Sequence, residues 1–232
     1  MKNKVIIITG TRKGIGKHLS EYYLVKGYNV VGCSRGNPSI KDKHYTHYKL
    51  DVANEKMVVD TVKDVKEKFK KIDILINNAG IASMNHMILT PTETTRSIME
   101  TNFMGTFNFC REVSKVMIRQ KWGRIINIST IAVPLSLEGE SVYIASKSAI
   151  EGFTKAIARE LASFNITVNA LGIAPLMTDL IKTVPKEKID KILDMMAIKR
   201  LSEFEDIANV IEFFIKEESD FITGQVIYLG GV

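Results

Sequence analysis

Val5-Ile6-Ile7-Ile8-Thr9-Gly10-Thr11-Arg12-Lys13-Gly14-Ile15-Gly16 is the stretch that decides the fold. Four β-branched residues in an unbroken run suit a strand buried on both faces. The run stops at Thr9-Gly10. Helical spacing then starts at Gly14 and continues to Lys26, where Gly27 supplies a C-terminal stop. Glycines in a strand-to-helix turn let the backbone bend sharply and let a ligand approach it closely. The free N–H groups at the start of the helix favour a pyrophosphate. The alternative is a purely structural turn, because Gly-x-x-x-Gly-x-Gly differs from the common Gly-x-Gly-x-x-Gly spacing.

Outward from this stretch the same alternation repeats. Asn29 to Cys33 and Tyr45 to Leu50 are short apolar runs. Asn54 to Lys70 places Met57, Val58, Val62, Val65 and Phe69 along one side of a charged helix. Ile72 to Ile76 is a strand that stops at Asn77-Asn78-Ala79-Gly80. The second half predicts a long helix over Thr92 to Gln120, broken by Gly123, and a strand over Arg124 to Ile128. A helix from Tyr143 to Phe164 follows, with Ile150, Phe153, Ile157 and Leu161 on one side. Ile166 to Leu171 is a strand, Glu203 to Lys216 a helix and Val226 to Leu229 the last strand. No long linker, repeat or composition shift interrupts the pattern. The order predicts a single doubly wound, Rossmann-type α/β domain over residues 1–232, with a parallel sheet and helices on both faces. Ligands in such folds bind at the carboxyl ends of the strands, where each unusual loop of this sequence falls.

The bulk composition fits that reading. The chain of 232 residues is 45% hydrophobic and 25% charged, an ordinary globular balance. Its net charge of +6 is spread among acids on most helices, which argues for a solvated surface over a nucleic-acid patch. Cys33 and Cys110 lie inside apolar runs and read as buried thiols. Val5 to Ile8 is too short for a signal-peptide core, and no apolar stretch reaches the roughly 18 residues of a membrane span. A soluble cytoplasmic protein is expected. His18, His44, His47 and His86 show no metal-ligand spacing, so no catalytic metal is expected.

The loops carry the chemistry. An acid at the end of the second strand would accept from the 2′-OH of an NAD ribose. Here that position reads Ser34-Arg35, and Lys13 stands in the glycine loop. Cations without an acid suit a 2′-phosphate, which favours NADPH over NADH; the bland alternative is that Arg35 is a surface charge. Asp51-Val52 suits an adenine, with the acid accepting from the amino group, or else Asp51 is an ordinary helix-start charge. Tyr143 and Lys147, four residues apart at a helix start, share a face. A cation beside a phenol lowers its pKa from about 10 and brings it into range for acid–base work. Ser129-Thr130 adds a hydroxyl at the end of a strand. Asn102 lies inside the long helix, where an Asn is a mild liability unless it faces solvent.

Taken together these residues resemble the short-chain dehydrogenase/reductase family, in its shorter single-domain branch. The ordered set runs from Thr9-Gly10 and Gly14-Ile15-Gly16 through Asp51-Val52, Asn77-Asn78-Ala79-Gly80, Asn102, Gly123 to Ser129, Tyr143 and Lys147. It continues through Val168-Asn169-Ala170, Thr178, Ile222-Thr223-Gly224-Gln225 and Gly230-Gly231. The resemblance implies that Tyr143 gives or takes the proton and that Lys147 lowers its pKa and holds the nicotinamide ribose. It implies that Thr130 orients the substrate oxygen and that Asn102 supports a water chain. Gly10, Arg12, Lys13, Ile15, Arg35, Asp51, Val52, Asn78, Ala79, Gly80 and Thr178 would hold the cofactor. Two departures stand out. The catalytic hydroxyl position carries Thr130, with Ser129 the alternative, and the usual Pro-Gly after Val-Asn-Ala is Ile173-Ala174, with Pro175 displaced.

The substrate is expected to meet residues 131–142, with Val133, Pro134, Leu135 and Leu137 as an apolar wall. A lid over about 176–200 carries Met177, Leu180, Ile181, Met195 and Met196, which alternatively pack the lid onto the body. The family analogy points to a small-molecule carbonyl substrate, first a 3-oxoacyl group on an acyl carrier protein, with Lys115, Arg119 and Lys121 to receive the acidic partner. The rivals are a sugar or polyol dehydrogenase and a non-catalytic dinucleotide-binding sensor. The resemblance further implies a homotetramer or homodimer built on the helices at 92–120 and 143–164, where Phe103, Phe107, Phe109, Phe153 and Ile157 offer apolar surface or else face the sheet.

Overall fold

Every residue of β1 (Val5–Thr9) is buried, as the unbroken apolar run requires. Its side chains alternate between two cores. Val5 and Ile7 join the cluster on one face of the sheet, and Ile6 and Ile8 join the cluster on the other. The computed structural model describes residues 3–177 and 184–232. These form a seven-stranded sheet from β1, β2 (Asn29–Ser34), β3 (Tyr45–Lys49), β4 (Ile74–Asn77), β5 (Gly123–Thr130), β6 (Ile166–Ile173) and β7 (Val226–Tyr228), in the order β3-β2-β1-β4-β5-β6-β7. All neighbouring pairs are parallel. The α/β doubly wound expectation is met.

The helices cover both faces. α1 (Gly14–Val25) packs Leu19 and Tyr23 against one face, beside Ile207, Ile211, Phe214 and Ile215 of a later helix, α8 (Phe204–Ile215). The other face carries α2 (Glu55–Phe69), α4 (Gly105–Gln120) and α6 (Ser141–Leu161). Burying each Val, Ile, Leu or Phe there contributes about 1.5–3 kcal/mol. Asn54 caps α2, its Oδ1 accepting from Met57 N at 3.0 Å. Val58, Val62 and Val65 face the core, whereas Met57, expected with them, is exposed.

The predicted helix over Thr92 to Gln120 is interrupted. α3 (Thr92–Met99) passes into a π-helical turn, Glu100–Met104, before α4 begins. π turns concentrate where a helix must re-aim a side chain, and this one carries Asn102. Among the shorter elements, α5 (Ala132–Leu135) and α7 (Lys186–Met195) fall in segments expected to be loop and lid. Their short amphipathic patterns were too brief to register as separate helices.

The chain leaves β1 for β2 and β3 on one side and resumes at β4 on the other. This reversal opens a crevice at the carboxyl edge between the two directions of winding. The motifs Val168-Asn169 and Thr223-Gly224-Gln225 turn out to knit the far side of the sheet. Val168 N donates to Thr223 Oγ1 at 3.0 Å, Asn169 Nδ2 to Ile222 O at 2.8 Å, and Gln225 N to Asn169 Oδ1 at 3.0 Å. Among the described residues no helix is long and apolar enough to cross a membrane.

Candidate active site

A cavity of about 850 Å³ runs along the carboxyl edge of the sheet. Its near end is the glycine loop. Gly10 sits at φ +76°, and a Cβ there would lie 3.0 Å from the Ala79 Cα. A Cβ on Gly16 would lie 2.4 Å from the Gly10 carbonyl oxygen, so the loop and the first turn of α1 close on each other only as glycines. Thr9 fastens this loop to the end of β4. Its Oγ1 accepts from Asn78 N at 3.0 Å and from Ala79 N at 2.9 Å, while Asn78 Nδ2 donates to Thr9 O at 2.8 Å. α1 starts after Lys13 without a side-chain cap, which leaves its first N–H groups available to an anion.

Arg12, Lys13 and Arg35 are exposed and line this end, together with Ser34, Asp51 and Val52. Among the described residues none of the three cations forms an ion pair, so their charge is available to a ligand. Arg12 lies against Gly36. The loop that presents Arg35 is braced from below. Ser34 Oγ donates to Gly36 O at 3.1 Å, and Tyr45 OH joins Thr11 Oγ1 at 2.8 Å and His47 Nδ1 at 3.1 Å. Asp51 Oδ1 accepts from Ala53 N at 3.0 Å and follows β3 instead of closing it.

The far end gathers Thr130, Tyr143 and Lys147, with Asn78-Ala79-Gly80 between the two ends. Strand alternation separates the two candidate hydroxyls. Ser129 is buried and donates to Glu151 Oε1 at 2.5 Å. Thr130 lies beside Tyr143 and accepts from Ala132 N at 3.2 Å. The geometry therefore favours Thr130 for the cleft. Lys147 is buried, and its Nζ donates to Ile128 O at 2.7 Å and stands 5.8 Å from the centre of the Tyr143 ring. Burial lowers the Lys147 pKa to about 8, with Glu151 acting in the opposite direction.

The expectation that Lys147 depresses the phenol is not met in this arrangement. Burial pushes Tyr143 up to about 12, the charge of Glu140 adds to the rise, and the Thr130 hydroxyl opposes it. The ammonium is committed to a backbone carbonyl, and the phenol stays protonated across the neutral range.

Asn102 is fully buried, so its solvent-facing alternative is wrong. The π turn directs its amide at Ile81 and α6. Oδ1 accepts from Ile81 N at 2.8 Å, and Nδ2 donates to Ile81 O at 2.9 Å and to Ser146 Oγ at 2.9 Å. Thr178 lies outside the described residues, as do Leu180 and Ile181. Leu137 lines the cavity with Ile173, Ala174, Leu176, Val184, Ile189 and Ile192. Leu135 instead packs with Ile131 and the buried Met196, while Met177 and Met195 are exposed. The sequence reading gave no role to the Thr9 side chain and did not single out Glu140 or Glu151. The first was visible as the end of a strand and part of the Thr9-Gly10 motif; the two acids, three residues before Tyr143 and four after Lys147, shared helical spacing with them.

The pattern of the family described as short chain dehydrogenase matches residues 4–189. The 3-oxoacyl-[acyl-carrier-protein] reductase FabG of Staphylococcus epidermidis is 33% identical over 239 aligned positions, covering 99% of this chain and 98% of the relative. The solved structure of ElxO with NADP bound superposes with a TM-score of 0.90 at 30% identity, covering 99% of this chain and 97% of that one. The ligand-free aldohexose dehydrogenase of Thermoplasma acidophilum gives a TM-score of 0.90 at 28% identity, with 99% and 94% covered.

Replacing the Asn102 amide leaves two half-buried backbone groups of Ile81 without this partner, at about 1–3 kcal/mol each. Asn102→Ala is therefore expected to lower stability to urea by roughly 2–4 kcal/mol. A loss under about 0.5 kcal/mol would mean that other groups replace the amide.

Proposed function

Because the chain belongs to the short-chain dehydrogenase family and is an NAD(P)-dependent oxidoreductase, we propose that it reduces a ketone to a secondary alcohol with NADPH, using Tyr143 as the acid. One observation carries the reading. A single cavity joins three cations, without ion pairs among the described residues, and a glycine loop at one end to Thr130, Tyr143 and Lys147 at the other. The near end fits a dinucleotide phosphate, since only glycine leaves room at positions 10 and 16. Gly10, Arg12, Lys13, Ile15, Asn78, Ala79 and Gly80 would hold it, with Asp51 and Val52 at the adenine and Thr178 at the carboxamide. Arg35 and Lys13 would grip a 2′-phosphate. ElxO, solved with NADP, supports that choice. When bound, the reduced cofactor supplies the hydride.

The chain's own residues handle the proton. Thr130 orients the carbonyl oxygen, and Tyr143 donates its phenolic proton to it. The Lys147 ammonium then turns toward the phenolate and stabilises it. Asn102 supports proton resupply by holding Ile81 and Ser146 beside Lys147. The apolar wall of Leu137, Leu176, Val184, Ile189 and Ile192 suits an acyl chain. A 3-oxoacyl thioester on a carrier protein is the first substrate to test, as the name of the Staphylococcus relative suggests. Arg119 and Lys121 would meet the acidic carrier, since Lys115 is held by Glu112 at 2.8 Å. A sugar or polyol is the second reading, favoured by the Glu140 carboxyl in the cavity and by the likeness to the aldohexose dehydrogenase.

The assembly we propose is a homotetramer built on the outer surfaces of α4 and α6, working in the cytoplasm, where two buried thiols stay reduced. Phe109 and Ile157 are buried in the core and do not contribute to that surface. Phe103 and Phe107 lean on Phe153, with ring centres 5.8 and 5.9 Å apart.

Tyr143→Phe is expected to cut NADPH-dependent reduction by roughly a hundredfold to ten-thousandfold, with NADPH still titrating the protein's fluorescence. Retention of most activity would sink the mechanism. Reduction should weaken as pH rises through about 8, because Lys147 then loses the charge that stabilises the phenolate; a rate that rises there would contradict the role of Lys147. Arg35→Ala should weaken NADPH binding at least about tenfold more than NADH binding, and equal effects on both would remove the 2′-phosphate assignment. Light scattering at micromolar concentration should give four times the 26.0 kDa chain mass, and a monomer would refute the assembly.

A further inference from the structure

Glu140 is a buried acid that the proton transfer described above does not use. It is the cap residue at the start of α6. A carboxylate in that place ordinarily accepts from the N–H groups of the first turn. Here no side-chain cap bond forms, although the backbone is fully engaged: Ile144 N donates to Glu140 O at 2.8 Å, and Glu140 N donates to Leu137 O at 3.3 Å. The residue is only 9% exposed and lines the cavity. Among the described residues its carboxyl has neither a hydrogen bond nor an ion pair. Among the described residues the titratable groups facing it are Tyr143, on the same side of α6, and Lys188, from α7. Burial holds its pKa above the usual carboxylate range, and Lys188 draws it back.

A carboxyl withdrawn from water is costly unless something pairs with it. The same cavity is lined by the apolar side chains of Leu137, Leu176, Val184, Ile189 and Ile192, which have no donor to offer it. Among the described residues none pairs with it, and a ligand in the cavity can supply the complement. We infer that Glu140 is a specificity-determining residue, accepting a hydrogen bond from a hydroxyl or ammonium group that the substrate carries near the carbonyl served by Tyr143. This rests on the ketone-reducing reading of the site and, within it, favours the sugar or polyol substrate over a 3-oxoacyl group, which has no donor beside its ketone. A site that holds a buried hydrogen-bonding group rejects an analogue lacking the partner far more strongly than an apolar pocket rejects a missing methylene.

The test compares NADPH oxidation with three ketones of one chain length: unsubstituted, hydroxylated and aminated beside the carbonyl. The wild-type protein should prefer a donor-bearing ketone by roughly tenfold to a hundredfold in kcat/KM, the range of a hydrogen bond to a charged group. Glu140→Leu should collapse that preference, with NADPH titration confirming that the variant is folded. Glu140→Gln keeps an accepting oxygen but no charge. It should retain most of a preference for the hydroxylated ketone and lose most of one for the aminated ketone, which tells the two donors apart. If Glu140→Leu does not fold, Glu140→Gln and the wild-type ratios still decide. Lys188→Ala should keep the preference; its loss to the same degree as in Glu140→Leu would assign the carboxyl to α7 and overturn the inference. So would a wild-type protein that shows no preference, or a preference that survives Glu140→Leu. Turnover of the unsubstituted ketone alone would leave the reductase reading standing without this inference. No turnover of any ketone, despite NADPH binding, would remove both.

Discussion

Thr9 is the residue through which the ends of β1 and β4 are held together at the point where the winding reverses. One hydroxyl accepts from two backbone N–H groups, Asn78 at 3.0 Å and Ala79 at 2.9 Å, and the Asn78 amide returns a bond to the Thr9 carbonyl. The crevice at this reversal would otherwise expose unpaired backbone groups at both strand ends. Held this way, the Asn78-Ala79-Gly80 segment is brought so near the glycine loop that a Cβ on Gly10 would meet it at 3.0 Å. The loop, the start of α1 and the wall leading to Lys147 are positioned from that contact. The remaining braces lie around it: Asn77 Nδ2 donates to Asn127 Oδ1 at 2.8 Å, and Asn127 Nδ2 donates to Thr154 Oγ1 at 2.8 Å, tying β4 to β5 and α6.

Charge in the far half of the cavity is set by burial more than by pairing. Lys147 is pushed down to about 8 and Tyr143 up to about 12, both chiefly by loss of water. Each shift favours the neutral form, so the phenol keeps its proton and the ammonium is poised to lose its own. Glu151 offsets part of this for Lys147 from the same helix, with its two oxygens held by Ser129 at 2.5 Å and Tyr228 at 2.6 Å. These two hydroxyls, from β5 and β7, satisfy a buried carboxylate that would otherwise be costly. Among the described residues Glu140 has no such partners, which separates a structural acid from one left for a ligand.

The strands, most of the long helices and the glycine loop were legible from local pattern, because a period of two or 3.6 and a glycine stop depend on neighbours in the chain. Tyr143, Lys147 and Thr130 were legible as a set and do converge on one cavity. Asn102 was half legible. Its position was evident, but the π turn in which it is buried and its bonds to Ile81 and Ser146, residues 21 and 44 positions away, were not. The choice of Thr130 over Ser129 likewise waited on Glu151, which engages the hydroxyl on the opposite side of the strand.

By itself the sequence determined the α/β class, the order of its elements and the chemistry available at the carboxyl edge. Those follow from short-range periodicity and from residue types that few other folds place in that order. Only the tertiary structure decided which acids are satisfied, which hydroxyl faces the phenol, and in which direction burial moves Tyr143 and Lys147. Desolvation and hydrogen-bond partnership depend on what distant segments bring into contact, and spacing along the chain does not encode that directly.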